Sequence, residues 1–190
     1  MISAAGAVDE AELLDLAVRH FGQASGPAAA VEAPDAQFTG GEAVETKRLE
    51  QANLVFLLPT VGVGHPDYFV LRLFAEILGG GMASRLFQEA REKRGLAYAV
   101  DAYSETYADQ GVLGVFAGCA AKDAVELAKV AAGEIAGLGG SVTPAELARA
   151  KAQIKGAMFM MRESPLARAE QTAAQLLLFD RPLPPAEIAA

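Results

Sequence analysis

The run AYAVDAYSETYADQGVLGVFAGC, residues 97 to 119, constrains the fold more than any other. Stretches rich in tyrosine, valine and phenylalanine lie on either side of Asp109-Gln110-Gly111. That pattern predicts strands over about 97–107 and 112–119, joined as a hairpin. Helical patterns fall in blocks before and after it. Strands that pair consecutively, with helices in blocks, indicate an α+β fold: a largely antiparallel sheet with helices packed on one face.

The remaining elements are read from periodicity and stop signals. Leu49 to Leu58 suits a strand buried on both faces. Pro66-Asp67 opens a helix to Leu78, broken only by Asp67, Arg72 and Glu76, and so expected to be buried almost all round. Gly79-Gly80-Gly81 stops it. A second helix is read over 83–93, ending before Gly95, and a third over about 122–138. Thr143-Pro144-Ala145-Glu146 is a capping box with proline at the first helical position. The helix it opens carries Leu147, Ile154, Met158 and Met161 as its apolar stripe. Ser164-Pro165 starts a last helix to about Phe179, and Arg181-Pro182-Leu183-Pro184-Pro185 reads as a breaker.

At the other end, residues 2–5 read as a short strand. Asp9 then caps a helix through Leu13, Leu16 and Ala17 that stops at Gly22. From about 23 to 47, Ser25, Gly26, Pro27, Pro34, Gly40 and Gly41 interrupt every period, which predicts a linker extended in its second half.

Composition narrows the function classes. Of 190 residues, 52% are hydrophobic and 21% charged, enough for a core and too apolar for global disorder. The net charge of −8 argues against a nucleic-acid partner, which would call for a basic face. No apolar stretch approaches the roughly 18 residues of a membrane span, and the first residues lack the basic and apolar regions of a signal peptide. Cys119 is the single cysteine, so neither a disulfide framework nor a cysteine-based metal site is expected. His20 and His65 lie far apart and lack the i, i+4 partner of a zincin helix. No nucleophile elbow surrounds the serines or Cys119. The three glycines at 79–81 follow a helix and lack a Gly-Lys-Ser/Thr ending, so they are a helix stop rather than a phosphate loop.

Arg91 and Tyr98 remain. Arg91 falls in the last turn of a predicted helix, Tyr98 at the start of the next strand, and Gly95 permits the reversal between them. A guanidinium fork and a phenol at one end of a sheet could grip a carbonyl oxygen or a developing oxyanion. Spacing alone prefers a plainer reading, with Arg91 a solvated charge among Glu89, Glu92, Lys93 and Arg94, and Tyr98 a sheet aromatic.

A resemblance shifts that preference. LFAEILGGGMASRLFQEAREKRGLAYAVDAYSETYADQGVLGVFAG, residues 73–118, resembles the C-terminal domain of the M16 zinc peptidases, whose fold is of the LuxS-like metallohydrolase type. GGE at 40–42 with LEQANLVF at 49–56 looks like that domain's entry. The run from Thr143 to Pro184 resembles its closing helices, and ISAAGAVDEAELLDLAVRHFG resembles the final strand and helix of the preceding domain. The resemblance implies three parts: residues 1–22 ending an N-terminal domain, 23–47 a linker, and 48–190 a C-terminal domain without its last helix and strand. It implies a metalloendopeptidase that hydrolyses peptide bonds, with Arg91 and Tyr98 binding the substrate backbone and the tetrahedral intermediate. Zinc would be held by an inverted His-x-x-Glu-His motif in the parent protein or a partner subunit, and none by this chain, which alone should be inactive. The partners implied are that zinc-bearing domain or subunit and a peptide, with a homodimer left open. The alternative is a non-catalytic subunit that binds or assembles with a zinc-bearing one. Strand 2–5 would dock where the absent last strand belongs, in cis or from a neighbouring chain. A bacterial source suits the composition, and the cytoplasm is favoured over the periplasm.

Overall fold

The computed structural model describes residues 1–24 and 34–188. It divides into two compact units, Ala36–Ile154 and a second made of Met1–Asp35 with Lys155–Ala190. In the larger unit the hairpin is the organising element. Strand β2, Ala97–Thr106, pairs antiparallel with β3, Gln110–Cys119. The opposite edge of β3 pairs antiparallel with β1, Ala52–Val61, giving the order β1-β3-β2.

Strand alternation assigns the two faces. Leu113, Val115, Ala117 and Cys119 of β3 are buried, opposite Leu58, Phe56, Leu54 and Ala52 of β1. With Val100 and Ala102 of β2 they form the layer on which the helices pack. Val55 and Leu57 point the other way and are 56% and 50% exposed. The double burial expected of this run is therefore not found: β1 is an edge strand with one covered face. The same position explains why the strand runs past its expected end at Leu58. Pro59 cannot donate to a ladder, but an edge strand has a side where no donor is needed.

The hairpin tip differs from its sequence reading. The chain turns through Ala108-Asp109, closed by a bond of 2.7 Å from the Tyr107 N–H to the Gln110 carbonyl. Gly111 is already a strand residue paired with Thr106. Its backbone is so closely packed that an added Cβ would lie 2.7 Å from Thr60 Oγ1 and 2.8 Å from the Val61 carbonyl oxygen. Asp109 Oδ2 accepts a 2.6 Å bond from the Ala36 N–H, which holds this carboxyl below its usual range and ties residue 36 to the tip. Residues 34–49 form neither helix nor strand, and 25–33, the first part of the expected linker, lie outside the described residues.

Helix α2, Tyr68–Gly79, buries Ala75, Ile77, Leu78 and Gly79 but leaves Phe69 and Val70 exposed. The expectation of all-round burial fails because only its C-terminal half is seated on the sheet. Contact is closest at Gly79, where a Cβ would lie 2.4 Å from the Ala102 amide nitrogen. The segment read as a second α-helix is a π-helix over Phe87–Lys93. Helix α3, Ala124–Leu138, adds Leu127, Ala131 and Leu138 to the core.

Helix α4, Pro144–Met161, begins at the predicted capping box: Glu146 Oε2 accepts from the Thr143 N–H at 2.8 Å, and Thr143 Oγ1 accepts from the Glu146 N–H at 3.3 Å. Arg85 grips the same carboxylate, Nε to Oε1 at 2.7 Å and a terminal nitrogen to Oε2 at 3.0 Å, and also reaches the Ser141 hydroxyl at 2.6 Å and its carbonyl at 2.7 Å. This clamp faces Glu146, and Ala150 one turn on, toward the core. Leu147 lies about 100° further round the helix and stays exposed, as does Met161, while Met158 is buried and Ile154 half-buried. The expected stripe is thus displaced toward a small residue by an ion pair.

The second unit contains α1, Glu10–Phe21, α5, Pro165–Phe179, and the short α6, Pro185–Ile188. Asp9 Oδ1 caps α1 by accepting from the Glu12 N–H at 2.9 Å, and Ser164 Oγ caps α5 by accepting from the Ala167 N–H at 3.3 Å. Pro184-Pro185 does not simply break the chain: Pro185 takes the first position of α6, where its missing N–H costs nothing. Residues 2–5, read as a short strand, form neither helix nor strand. Without a partner edge, so short a segment has no ladder to satisfy its backbone.

Two outcomes follow from this packing. Gly79→Ala should lower stability by about 1–3 kcal/mol in denaturant titration, because overlap with the β2 backbone outweighs the gain of about 1 kcal/mol in helix propensity. Arg85 lowers the Glu146 pKa to about 2 from 4.5, and the two side chains are only 18% and 16% exposed. A depressed folded pKa gives stability that is present above about 4.5 and lost as pH falls toward 2. Glu146→Gln should cost on the order of 3 kcal/mol at pH 7 and flatten the acid limb of the unfolding profile over that window.

Candidate functional site

The reversal between the π-helix and β2 is held by residues that face inward. Ala90, Leu96 and Ala97 are buried in one cluster with Ala117, Cys119 and Leu127. The Leu96 N–H reaches the Ala90 carbonyl at 2.8 Å and the Gly95 N–H reaches the Arg91 carbonyl at 3.1 Å. Each bond spans one residue more than its counterpart in the usual Schellman ending of an α-helix, as the wider π-turn requires. Gly95 takes φ +63°, the left-handed conformation that turns the chain into β2.

Each candidate residue directly follows one of these anchors. Arg91 follows Ala90 and is exposed. Its Cζ lies 4.7 Å from the centre of the Phe87 ring, a cation–π contact along the π-helix. Tyr98 follows Ala97 and occupies a β-bulge: Ala97 pairs with Cys119 and Ala99 with Gly118, leaving Tyr98 without an opposite residue. The bulge re-aims the strand locally, so Tyr98 and Ala99 are both exposed, Tyr98 at 55%. The π-helix and β2 pack against each other, which brings the two bearing segments together.

The neighbouring cations are paired elsewhere. Lys93 bonds Glu89 along the same helix, and Arg94 lies 3.6 Å from Glu126. Arg91 forms no ion pair among the described residues. Arg85 has the structural role given above. The Phe87–Arg91 contact was not read from the sequence, although a phenylalanine four residues before an arginine on one helix is a legible signal. Nor were the π-turn and the bulge, which leave no local mark in residue type.

Other groups offer little chemistry. Cys119 is buried, and burial holds its thiol above the ordinary value. His65 Nδ1 accepts from the Asp67 N–H at 3.1 Å in an exposed loop, and His20 is exposed at the end of α1. Burial raises both Glu76 and Asp101, and Asp101 raises Glu76 further. Among the described residues no three His, Cys, Asp or Glu side chains converge, so they do not fit a zinc site. No helix among them is long and apolar enough to cross a membrane.

Comparison with known proteins gives this arrangement its family. Residues 1–154 match the model of the peptidase M16 inactive domain. The chain is 35% identical over 188 residues to an uncharacterized zinc protease of Rickettsia felis, covering 98% of this chain and 45% of that protein. It superposes on a conserved protein from Enterococcus faecalis with a TM-score of 0.74 and 26% identity, over 96% of this chain and 43% of the other. The peptidase M16 inactive domain from Pseudomonas fluorescens gives 0.60 and 25%, over 73% and 36%. The chain therefore belongs to the peptidase M16 family and corresponds to its inactive domain. It spans about half the length of the curated relatives it matches.

Gly95→Ala tests the reversal. Open space surrounds the position, so only the left-handed backbone is penalised, at about 1–2 kcal/mol. Thermal unfolding should show that loss, and Gly95→Asn should recover much of it.

Proposed function

We propose that this chain is the substrate-closing domain of an M16 zinc metalloendopeptidase. Residues 1–22 end the preceding domain, 23–47 form the linker, and 48–190 are the closing domain. Zinc is held by another polypeptide segment, in the N-terminal domain or in a partner subunit, so this chain alone hydrolyses nothing. Relatives named as zinc proteases, about twice as long as this chain, support that division.

The observation that carries the reading is the exposure of Arg91 and Tyr98 on either side of a reversal anchored in the core, with the Arg91 donors committed to no carboxylate among the described residues. A peptide carbonyl oxygen gains negative charge as its carbon becomes tetrahedral. The Arg91 guanidinium and the Tyr98 hydroxyl each donate a hydrogen bond to the substrate backbone or to that oxygen, and these bonds strengthen as the charge develops. Both are held on buried anchors, so little reorganisation accompanies the reaction. The chain's role is to bind, orient and stabilise.

In the full-length protein, or in a reconstituted pair of subunits, Arg91→Ala and Tyr98→Phe should each lower kcat/KM by roughly a hundredfold, on the order of 3 kcal/mol, with zinc content unchanged. Wild-type rates in both variants would return these residues to surface roles. A parent protein that binds no zinc but cleaves peptides once a zinc-bearing subunit is added would place the metal in trans.

A further inference from the structure

We infer that Phe87 is a positioning residue for Arg91: its ring holds the guanidinium in place and leaves the guanidinium's hydrogen-bond donors free for substrate. The inference rests on the reading of Arg91 given under the proposed function. It starts from what Arg91 does not do. The chain carries 24 acidic and 16 basic side chains, and Glu89 and Glu92 both lie within two residues of Arg91. Lys93 takes Glu89, Arg94 lies near Glu126, and Arg91 pairs with no carboxylate among the described residues. Its planar group instead stands 4.7 Å from the centre of the Phe87 ring.

The choice of partner has a chemical consequence. A carboxylate binds the edge of a guanidinium and occupies its N–H donors. An aromatic ring attracts the same cation through its face and accepts none of those N–H groups as a conventional hydrogen bond. Arg91 is thus restrained without being consumed. Phe87 is itself half-buried, and its backbone is anchored beside the fully buried Leu86. A long side chain already restrained by a ring loses less rotamer freedom when it grips a peptide, which is preorganisation supplied by an apolar residue.

The test uses full-length protein, a cleavable peptide, and a cycle of Phe87→Leu, Phe87→Tyr, Arg91→Ala and the double variant Phe87→Leu/Arg91→Ala. Leucine keeps apolar bulk and loses the aromatic face; tyrosine keeps the face. Phe87→Leu should lower kcat/KM roughly threefold to fivefold, Phe87→Tyr should stay near wild type, and Phe87→Leu should add nothing once Arg91 is alanine. A second readout is independent of turnover: the ring should shift the Arg91 Nε–H proton resonance upfield, an effect lost in Phe87→Leu and kept in Phe87→Tyr. An equal loss from Phe87→Leu with and without Arg91 overturns the inference, because the ring would then act by itself. Wild-type activity in Phe87→Leu beside a damaged Arg91→Ala overturns it alone. Wild-type activity in Arg91→Ala removes the underlying reading and this inference with it.

Discussion

Burial of β3 between two antiparallel neighbours is the constraint on which the larger unit depends. Leu113, Val115, Ala117 and Cys119 place one face of that strand in the core, and β1 and β2 satisfy its backbone on both sides. Helices α2 and α3 and the π-helix then have a defined surface on which to bury their apolar sides. Gly79 and Gly111 are among the points where the chain packs too closely for a side chain, and both lie in or against this sheet.

The candidate site grows out of two departures from regular structure imposed on that frame. The π-turn and the bulge sit on either side of Gly95, and the cluster of Ala90, Leu96 and Ala97 pins both to the core. An irregular turn next to a buried anchor is a way to aim a side chain outward without giving it mobility. Arg91 and Tyr98 are placed in this manner. The polar groups nearby are sorted by the same packing: Arg85 is spent on Glu146, Lys93 on Glu89, and Arg91 rests on an aromatic ring.

Much of the fold was legible because local rules and tertiary packing agree. The Tyr- and Val-rich hairpin, the Asp9 and Ser164 caps and the Thr143–Glu146 capping box are each decided within a few residues, and each appears in the structure. The misreadings have a common cause. Residues 2–5 look like a strand, but strand formation depends on a partner that a local pattern cannot supply. β1 and α2 look buried all round because apolar residues on an exposed face have the same composition as those in a core. Leu147 looks like a core residue until Arg85, 61 residues away along the chain, draws Glu146 inward.

By itself the sequence determined the hairpin, the helix caps, the order of the main helices and strands, the acidic balance and the choice of Arg91 and Tyr98 as candidates, since these depend on residue chemistry and short-range spacing. Tertiary structure alone decided that β1 lies at an edge, that Tyr98 occupies a bulge, and that Arg91 stacks on Phe87 rather than pairing with Glu89 or Glu92. Those outcomes depend on which backbone groups find partners across the sheet and which side chains win a shared carboxylate, competitions settled only when distant segments are packed together.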